Sequence, residues 1–406
     1  MSVDLARVIR PGDGIVVGQA CAEPQTLSEA LVAQRAAFAG ATLFLGVNYS
    51  GIVKPEHADH LRLASYCGAG HNRALADAGV LDIHPHPYSR LASLIRSKTI
   101  PADVVMLQVS PPNSRGEHSL GLSADYLVPA LDTCRAIVAE VNERIPWTHS
   151  DRLLRESEFA LAVHSSRQPV PLPYGAPGQT ERAIARHAAA FVPDGGTLEF
   201  GLGSLPDAIL GFVADRKALK VHSGALGDGI VDLASRGIIG PVTGSQVFGT
   251  QKFFDFAHQN PDVRLRSCEF THDPRVLAGI ERFVAINSAV EVDLTGQVNA
   301  EIAGGSYVGA VGGALDFIRA ANQSPGGVSL VVLPSAVGTK VSRIVGRISG
   351  PVATPRSEAG VIVTEHGAAD LRGCTLRERA RRMLGIAHPA FREALEREAR
   401  EAGLVW

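Results

Sequence analysis

A chain of 406 residues exceeds what one core of ordinary size organises, so two domains are expected. Lys+Arg 39 against Asp+Glu 41 leaves a formal charge of -2, which removes nucleic acid and an anionic membrane as expected partners. With 45% apolar and 20% charged residues, 42 glycines, 24 prolines and only 5% aromatics, the composition excludes wholesale disorder and a coiled coil and suits an α/β enzyme.

Short runs of Val, Ile and Leu alternate with Ala-rich segments of helical spacing, the pattern of parallel strands joined by crossover helices. Residues 14–17 read as a strand leading to Gly18, and 27–38 as the helix that follows. Strands are expected at 41–47 and 104–109, and one long helix at 127–141 ahead of Pro146. The Pro-rich stretch 168–175 is the linker candidate and puts the boundary near residue 170, with domains 1–170 and 171–406. Beyond it, 180–191 reads as a helix and 197–200 as a strand running into Gly201-Leu202-Gly203-Ser204-Leu205-Pro206-Asp207 and another helix. That order repeats residues 14–38 and suggests two related α/β units. Further strands are expected at 283–287, 329–333 and 360–363, with charged, exposed helices at 376–383 and 389–403.

Five cysteines (Cys21, Cys67, Cys134, Cys268, Cys374), odd in number and without a Cys-x-x-Cys pair, indicate neither a disulfide framework nor a zinc ribbon and fit a reducing cytoplasm. Residues 1–7 lack the apolar core of a secretory signal. The uncharged stretch 320–339 is broken by Asn322, Gln323, Pro325, Gly326 and Pro334, so no membrane span is expected. His57, His60, His84 and His86 have no companion acids or cysteines at familiar spacing, so they read as loop histidines and no metal is expected.

Two glycine clusters invite chemistry. Gly201 and Gly203 follow a strand and precede a helix, where backbone N–H groups can meet a phosphate. Pro206 stands where a dinucleotide fold needs its third glycine and no P-loop lysine follows, so nicotinamide and ATP are not expected cofactors. The run Gly309-Ala310-Val311-Gly312-Gly313, preceded by Gly304-Gly305, offers donors for an oxyanion or a pyrophosphate, or is a plain tight turn.

In order, the segments 17–24, Gln108-Val109-Ser110-Pro111-Pro112, Gly201–Ala208, 286–299, 309–317, Ser342-Arg343-Ile344-Val345, 363–373 and 387–392 resemble the acetyl-CoA hydrolase/transferase family over nearly the whole chain. The resemblance implies two CoA-transferase-like (NagB/RpiA-like) open α/β domains with mostly parallel sheets, commonly a homodimer, acting on an acyl-CoA with a short carboxylic acid as acceptor. The family's transferases use a glutamate that attacks the thioester and then carries CoA itself. By the same resemblance Gly224, in Val221-His222-Ser223-Gly224, stands at that nucleophile's position, and His272, in Thr271-His272-Asp273-Pro274, stands where an amide is usual.

Two replacements for the missing group are therefore expected. Glu199, at the end of a strand, is a displaced carboxylate if its neighbour is the strand of Gly224, or else a structural partner of an arginine or a loop. His272 is a general base on water, which would make the protein a thioesterase, or else a hydrogen-bond donor. Gly312 and Gly313 complete the catalytic set as oxyanion donors; Gly201, Gly203, Gly309 and Arg343, with Lys340, are the expected CoA contacts; Gly18, Glu23 and Gly224 are expected to border the substrate pocket. Glu269 lies three residues before His272, a spacing that on a strand puts the two on opposite faces, so their cooperation is not expected; Glu365 is an outside candidate, and Cys21 reads as a small buried residue. The leading expectation is acyl-CoA:carboxylate CoA transfer through Glu199, followed by hydrolysis through His272, and in a different class by a non-catalytic CoA-thioester binder.

Overall fold

The computed structural model describes residues 3–173, 175–201 and 203–404. Leu202 of the glycine turn and Tyr174 of the linker lie outside them. Two open sheets dominate. The first has seven strands, in the order Phe159–Ser165, Ala136–Asn142, Val104–Val109, Gly14–Val17, Thr42–Leu45, Arg62–Ser65 and Leu81–Ile83. Every pairing in it is parallel. The second has nine strands, in the order Gly367–Asp370, Val361–Thr364, Val328–Val332, Phe283–Ser288, Thr197–Phe200, Leu219–Leu226, Ile239–Val247, Val263–Leu265 and His149–Ser150. Only the pair Val361–Thr364 and Gly367–Asp370 is antiparallel.

The strands read as apolar runs because both faces are covered. In Gly14–Val17, Val16 joins the apolar cluster that reaches into the second half, while Ile15 and Val17 face a separate cluster with Leu27, Leu43 and Met106. The first of these clusters is continuous between the halves, bringing Leu107, Leu122 and Tyr126 together with Leu226, Val247 and Phe248.

Both sheets share one topology. Apart from the edge strand His149–Ser150, each starts with a central strand, lays three further strands to one side, and returns to the other side of the first. The chain therefore reverses between Gly14–Val17 and Val104–Val109 in one sheet, and between Thr197–Phe200 and Phe283–Ser288 in the other. Ligands of such sheets bind outside the carboxyl ends of the strands at this switch point. In the second sheet that point is Glu199, Phe200 and Gly201 beside Ile286, Asn287 and Ser288, with Glu199 in register with Ala285.

One expected element is corrected. The helix read over 127–141 is a short helix, Leu127–Leu131, and a strand, Ala136–Asn142. Alanines at 136 and 139 imitate helical spacing, but Ile137, Val138 and Val141 favour a strand, and all seven residues are buried between neighbours on both sides. The strand His149–Ser150 joins the edge of the second sheet before the chain returns to the first at Phe159–Ser165.

Candidate active site

A cavity of about 390 Å³ lies between the carboxyl ends of the two sheets. Its walls bring Glu199, Gly201, Gly224, His272, Gly309, Gly312 and Gly313 together, so seven residues picked from sequence share one space. Val47, Tyr66, Cys67, Ala69 and Tyr88 close it from the first half. Backbone bonds clamp the halves there: Gly68 N donates to Gly309 O at 2.8 Å and Tyr88 N to Gly312 O at 2.9 Å. Ser89 adds bonds from N and Oγ to the carboxylate of Asp316, at 3.0 and 2.8 Å.

Glu199 is 2% exposed at the end of its strand. Leu198 pairs with Val221, which makes the strand of Gly224 its neighbour. Asn287 Nδ2 donates to Glu199 Oε2 at 2.7 Å. Burial pushes the carboxyl up to about 8, against the opposing pull of Asn287 and the Ile286 backbone. No arginine or lysine is its partner among the described residues.

His272 caps the short helix Cys268–Thr271 and is 3% exposed. Its ring lies between Tyr88 and Phe317, with centroids 4.7 and 4.6 Å away. Thr271 Oγ1 and His272 Nδ1 share a hydrogen bond of 2.9 Å, and Nε2 turns toward Gly224 and Gly313. Burial drives the imidazole down to about 3, with the nearby His222 adding to the effect, so the ring is neutral at physiological pH.

The glycines differ in what they offer. Gly313 has no room for a β-carbon, which would lie 2.6 Å from His272 Nε2, and Gly309 has none against Ala300 O, 1.9 Å away. Gly309 N–H already bonds Glu301 O, and Gly201 N–H bonds Ile286 O, so neither amide is available to a phosphate. Gly203, at φ 127°, makes the turn into the helix Ser204–Phe212, but Asp207 on that helix's first turn lines the same cleft. Burial, with Asp228 nearby, pushes that carboxyl up to about 6. A carboxyl there is a poor neighbour for a pyrophosphate.

Several candidates stand elsewhere. Gly18 and Glu23 line an adjoining narrow cleft, sharing only Val47 with the cavity. The Glu23 carboxylate turns to Tyr49 N (2.5 Å) and Ser50 N (3.1 Å), and burial raises it to about 7. Glu269 is on a helix, where Ser267 Oγ accepts from Glu269 N, and its carboxylate pairs with Arg96 at 2.8 Å. Glu365 accepts from Ser335 N and Oγ at 2.9 and 2.5 Å. The Cys21 thiol donates to Gly249 O, and burial pushes it up to about 12. Arg343 is not in the cavity wall; it lies between two short strands, half-buried, with no carboxylate partner among the described residues, and burial lowers its pKa.

Asn287, Tyr66, Tyr88, Thr271 and Phe317 were not picked out as site residues. Asn287 was the one with a signal, a polar side chain ending an apolar strand. The others gain their role from contacts between distant segments.

Comparison with known proteins decides the family. The Acetyl-CoA hydrolase/transferase N-terminal domain matches residues 2–172 and the C-terminal domain matches 249–399. The 4-hydroxybutyrate coenzyme A transferase of Clostridium kluyveri is 36% identical over 95% of this chain and 93% of its own length. This chain belongs to the acetyl-CoA hydrolase/transferase family. Within the family, the butyryl-CoA:acetate CoA-transferase of Anaerostipes caccae is 30% identical over 99% of this chain and 96% of that protein. The crystal structure of RipA from Yersinia pestis matches with a TM-score of 0.93 at 30% identity, covering 98% of this chain and 96% of that one.

Proposed function

We propose that this protein transfers CoA from an acyl-CoA thioester to a carboxylate, with Glu199 as the attacking group. The observation that carries the reading is a buried carboxyl at the switch point, inside a cavity shared with Gly224, His272 and Gly313. The transferases at 36% and 30% identity support the reaction class.

The steps balance without an outside oxidant or reductant. Ionised Glu199 attacks the thioester carbonyl; a C–O bond forms, the C–S bond breaks, and CoA leaves as thiolate from a mixed anhydride. The thiolate attacks the Glu199 carbonyl, releasing the first acid and leaving a glutamyl thioester. The acceptor carboxylate attacks that thioester and expels the thiolate, which then takes the acceptor's acyl group from the new anhydride and frees Glu199.

Charge develops on a carbonyl oxygen at each attack. Thr271 Oγ1 lies 2.9 Å from Nδ1 and 3.3 Å from Ser267 O; with its proton on the shorter contact, Nε2–H of the neutral imidazole stabilises that oxygen, together with the Gly312 and Gly313 amides. An imidazole held at about 3 is too weak a base to favour water as the nucleophile. The CoA phosphates are assigned to Arg343, whose half-buried guanidinium lacks an acid partner among the described residues. We further propose a cytoplasmic homodimer divided near residue 170, open to gel filtration and to proteolysis within 168–175.

The test incubates purified protein with acyl-CoA esters, with and without acetate, following free thiol and new acyl-CoA in one sample. New acyl-CoA formed only with acetate, lost in Glu199→Gln, supports transfer. Thiol release indifferent to acetate establishes hydrolysis instead, and tight CoA binding without turnover establishes a binder.

A further inference from the structure

The cavity has a floor and a mouth of different character. Val47 (2%), Cys67 (1%), Tyr88 (3%) and Tyr66 (6%) are buried and close the first-half side, with Gln246 (7%) of the second sheet among the buried wall residues. Toward solvent Ser288 is exposed, and Val308, Ala310 and Val311 are half-exposed. A thioester at Glu199 must send its long CoA arm toward the mouth, so its acyl end meets the floor.

Hydrogen bonding fixes what that floor presents. Gln19 Oε1 accepts from Val47 N at 2.8 Å, and Gln19 Nε2 donates to the buried Asp125. The Tyr66 hydroxyl must then donate to Gln19 Oε1, at 2.9 Å, so its oxygen accepts from the Gln246 amide. Gln246 is thereby oriented with Oε1 as its spare atom, an acceptor without a partner. Tyr88 and Tyr66, edge to face at 5.0 Å, continue the aromatic line begun by the ring of His272. Among the described residues the cavity wall contains one carboxyl, Glu199, and neither lysine nor arginine.

We propose that this floor is the acyl subsite and that it selects uncharged acyl groups, so that the donor and acceptor acids are monocarboxylic and a dicarboxylic acyl group is rejected. The inference rests on the transfer reading above. A second carboxylate on the substrate would enter an aromatic space that holds no cation among the described residues, and would share the cavity with the ionised nucleophile. A buried charge without a partner is strongly disfavoured.

The test uses butyryl-CoA and succinyl-CoA, matched in chain length, each with acetate as acceptor, following acetyl-CoA for kcat/KM and calorimetry for Kd. Butyryl-CoA should exceed succinyl-CoA by about a hundredfold or more in kcat/KM, with Kd favouring it in the same direction. Ala69→Lys, which adds a cation at a half-exposed position of the wall, should narrow that ratio about tenfold or more. Succinyl-CoA turned over as well as butyryl-CoA overturns the subsite and leaves transfer standing, as does a ratio unmoved by Ala69→Lys. If neither ester is turned over while Kd still favours butyryl-CoA, transfer falls and the subsite stands.

Discussion

The imidazole of His272 fills the space that a side chain on Gly224 would need: a β-carbon at 224 would lie 3.1 Å from His272 Nε2. The contact at Gly313 is tighter, 2.6 Å to Nε2 and 2.8 Å to Cδ2. Tyr88 and Phe317 hold the ring from both sides, so it has little freedom to yield. Gly313→Ala should therefore cost about 1–3 kcal/mol as an overpacked site, and Gly224→Ala under about 1 kcal/mol. Urea midpoints measure both. Adding His272→Ala should recover most of the Gly313→Ala loss, and equal costs for the two glycine variants would refute this packing.

Glu199 makes activity and stability move oppositely with pH. Only the ionised carboxylate attacks, so transfer should rise about tenfold per pH unit toward about 8 and flatten above it. The folded pKa is raised above the ordinary 4.5, so the fold holds this proton more tightly than the unfolded chain does. Its contribution to stability is full below pH 4.5 and lost as pH rises through about 8. Glu199→Gln cannot ionise and should raise Tm relative to wild type more at pH 9 than at pH 5. A difference that does not change with pH would show that the carboxyl is not held neutral by burial.

These groups were partly legible beforehand, and the reason divides cleanly. The strand 197–200 and the turn at Gly201 stood out because a run buried on both faces is apolar, and a carboxyl at its end breaks the pattern. The neighbouring strands Leu219–Leu226 and Ile239–Val247 carry Lys220, His222, Ser223, Pro241 and Gly244, so no apolar run announces them; pairing with other strands makes them. Glu269 lies on a short helix set by a single cap, Ser267, so a strand's alternation does not describe its spacing to His272. Tyr88 meets Gly312, and Tyr66 meets Gln246, across stretches of chain that local pattern cannot join.

His272 should make the protein acid-sensitive. Its folded pKa is depressed from 6.5 to about 3, so its contribution to stability is full above pH 6.5 and lost as pH falls toward 3. The loss accrues at about 1.4 kcal/mol per pH unit over that window. His272→Asn removes the titration, and its urea stability should fall less than that of wild type between pH 7.5 and 4.5. Parallel losses in the two proteins would assign the acid sensitivity to other groups.

Arg343 separates binding from chemistry. It lies outside the wall that holds Glu199 and His272, and its half-buried guanidinium gives up hydration with no carboxylate in return among the described residues. A phosphate of CoA would supply the missing charge. Arg343→Ala should then raise KM for every acyl-CoA by a similar factor, about ten- to a hundredfold for a charge-assisted hydrogen bond of about 1.5–3 kcal/mol, while kcat and the preference between acyl groups stay unchanged. The effect should weaken with dephospho-CoA esters if the 3′-phosphate is the one held, and persist if it is the pyrophosphate. A fall in kcat with KM unchanged would instead put Arg343 in the support of the reacting groups and remove it from CoA recognition.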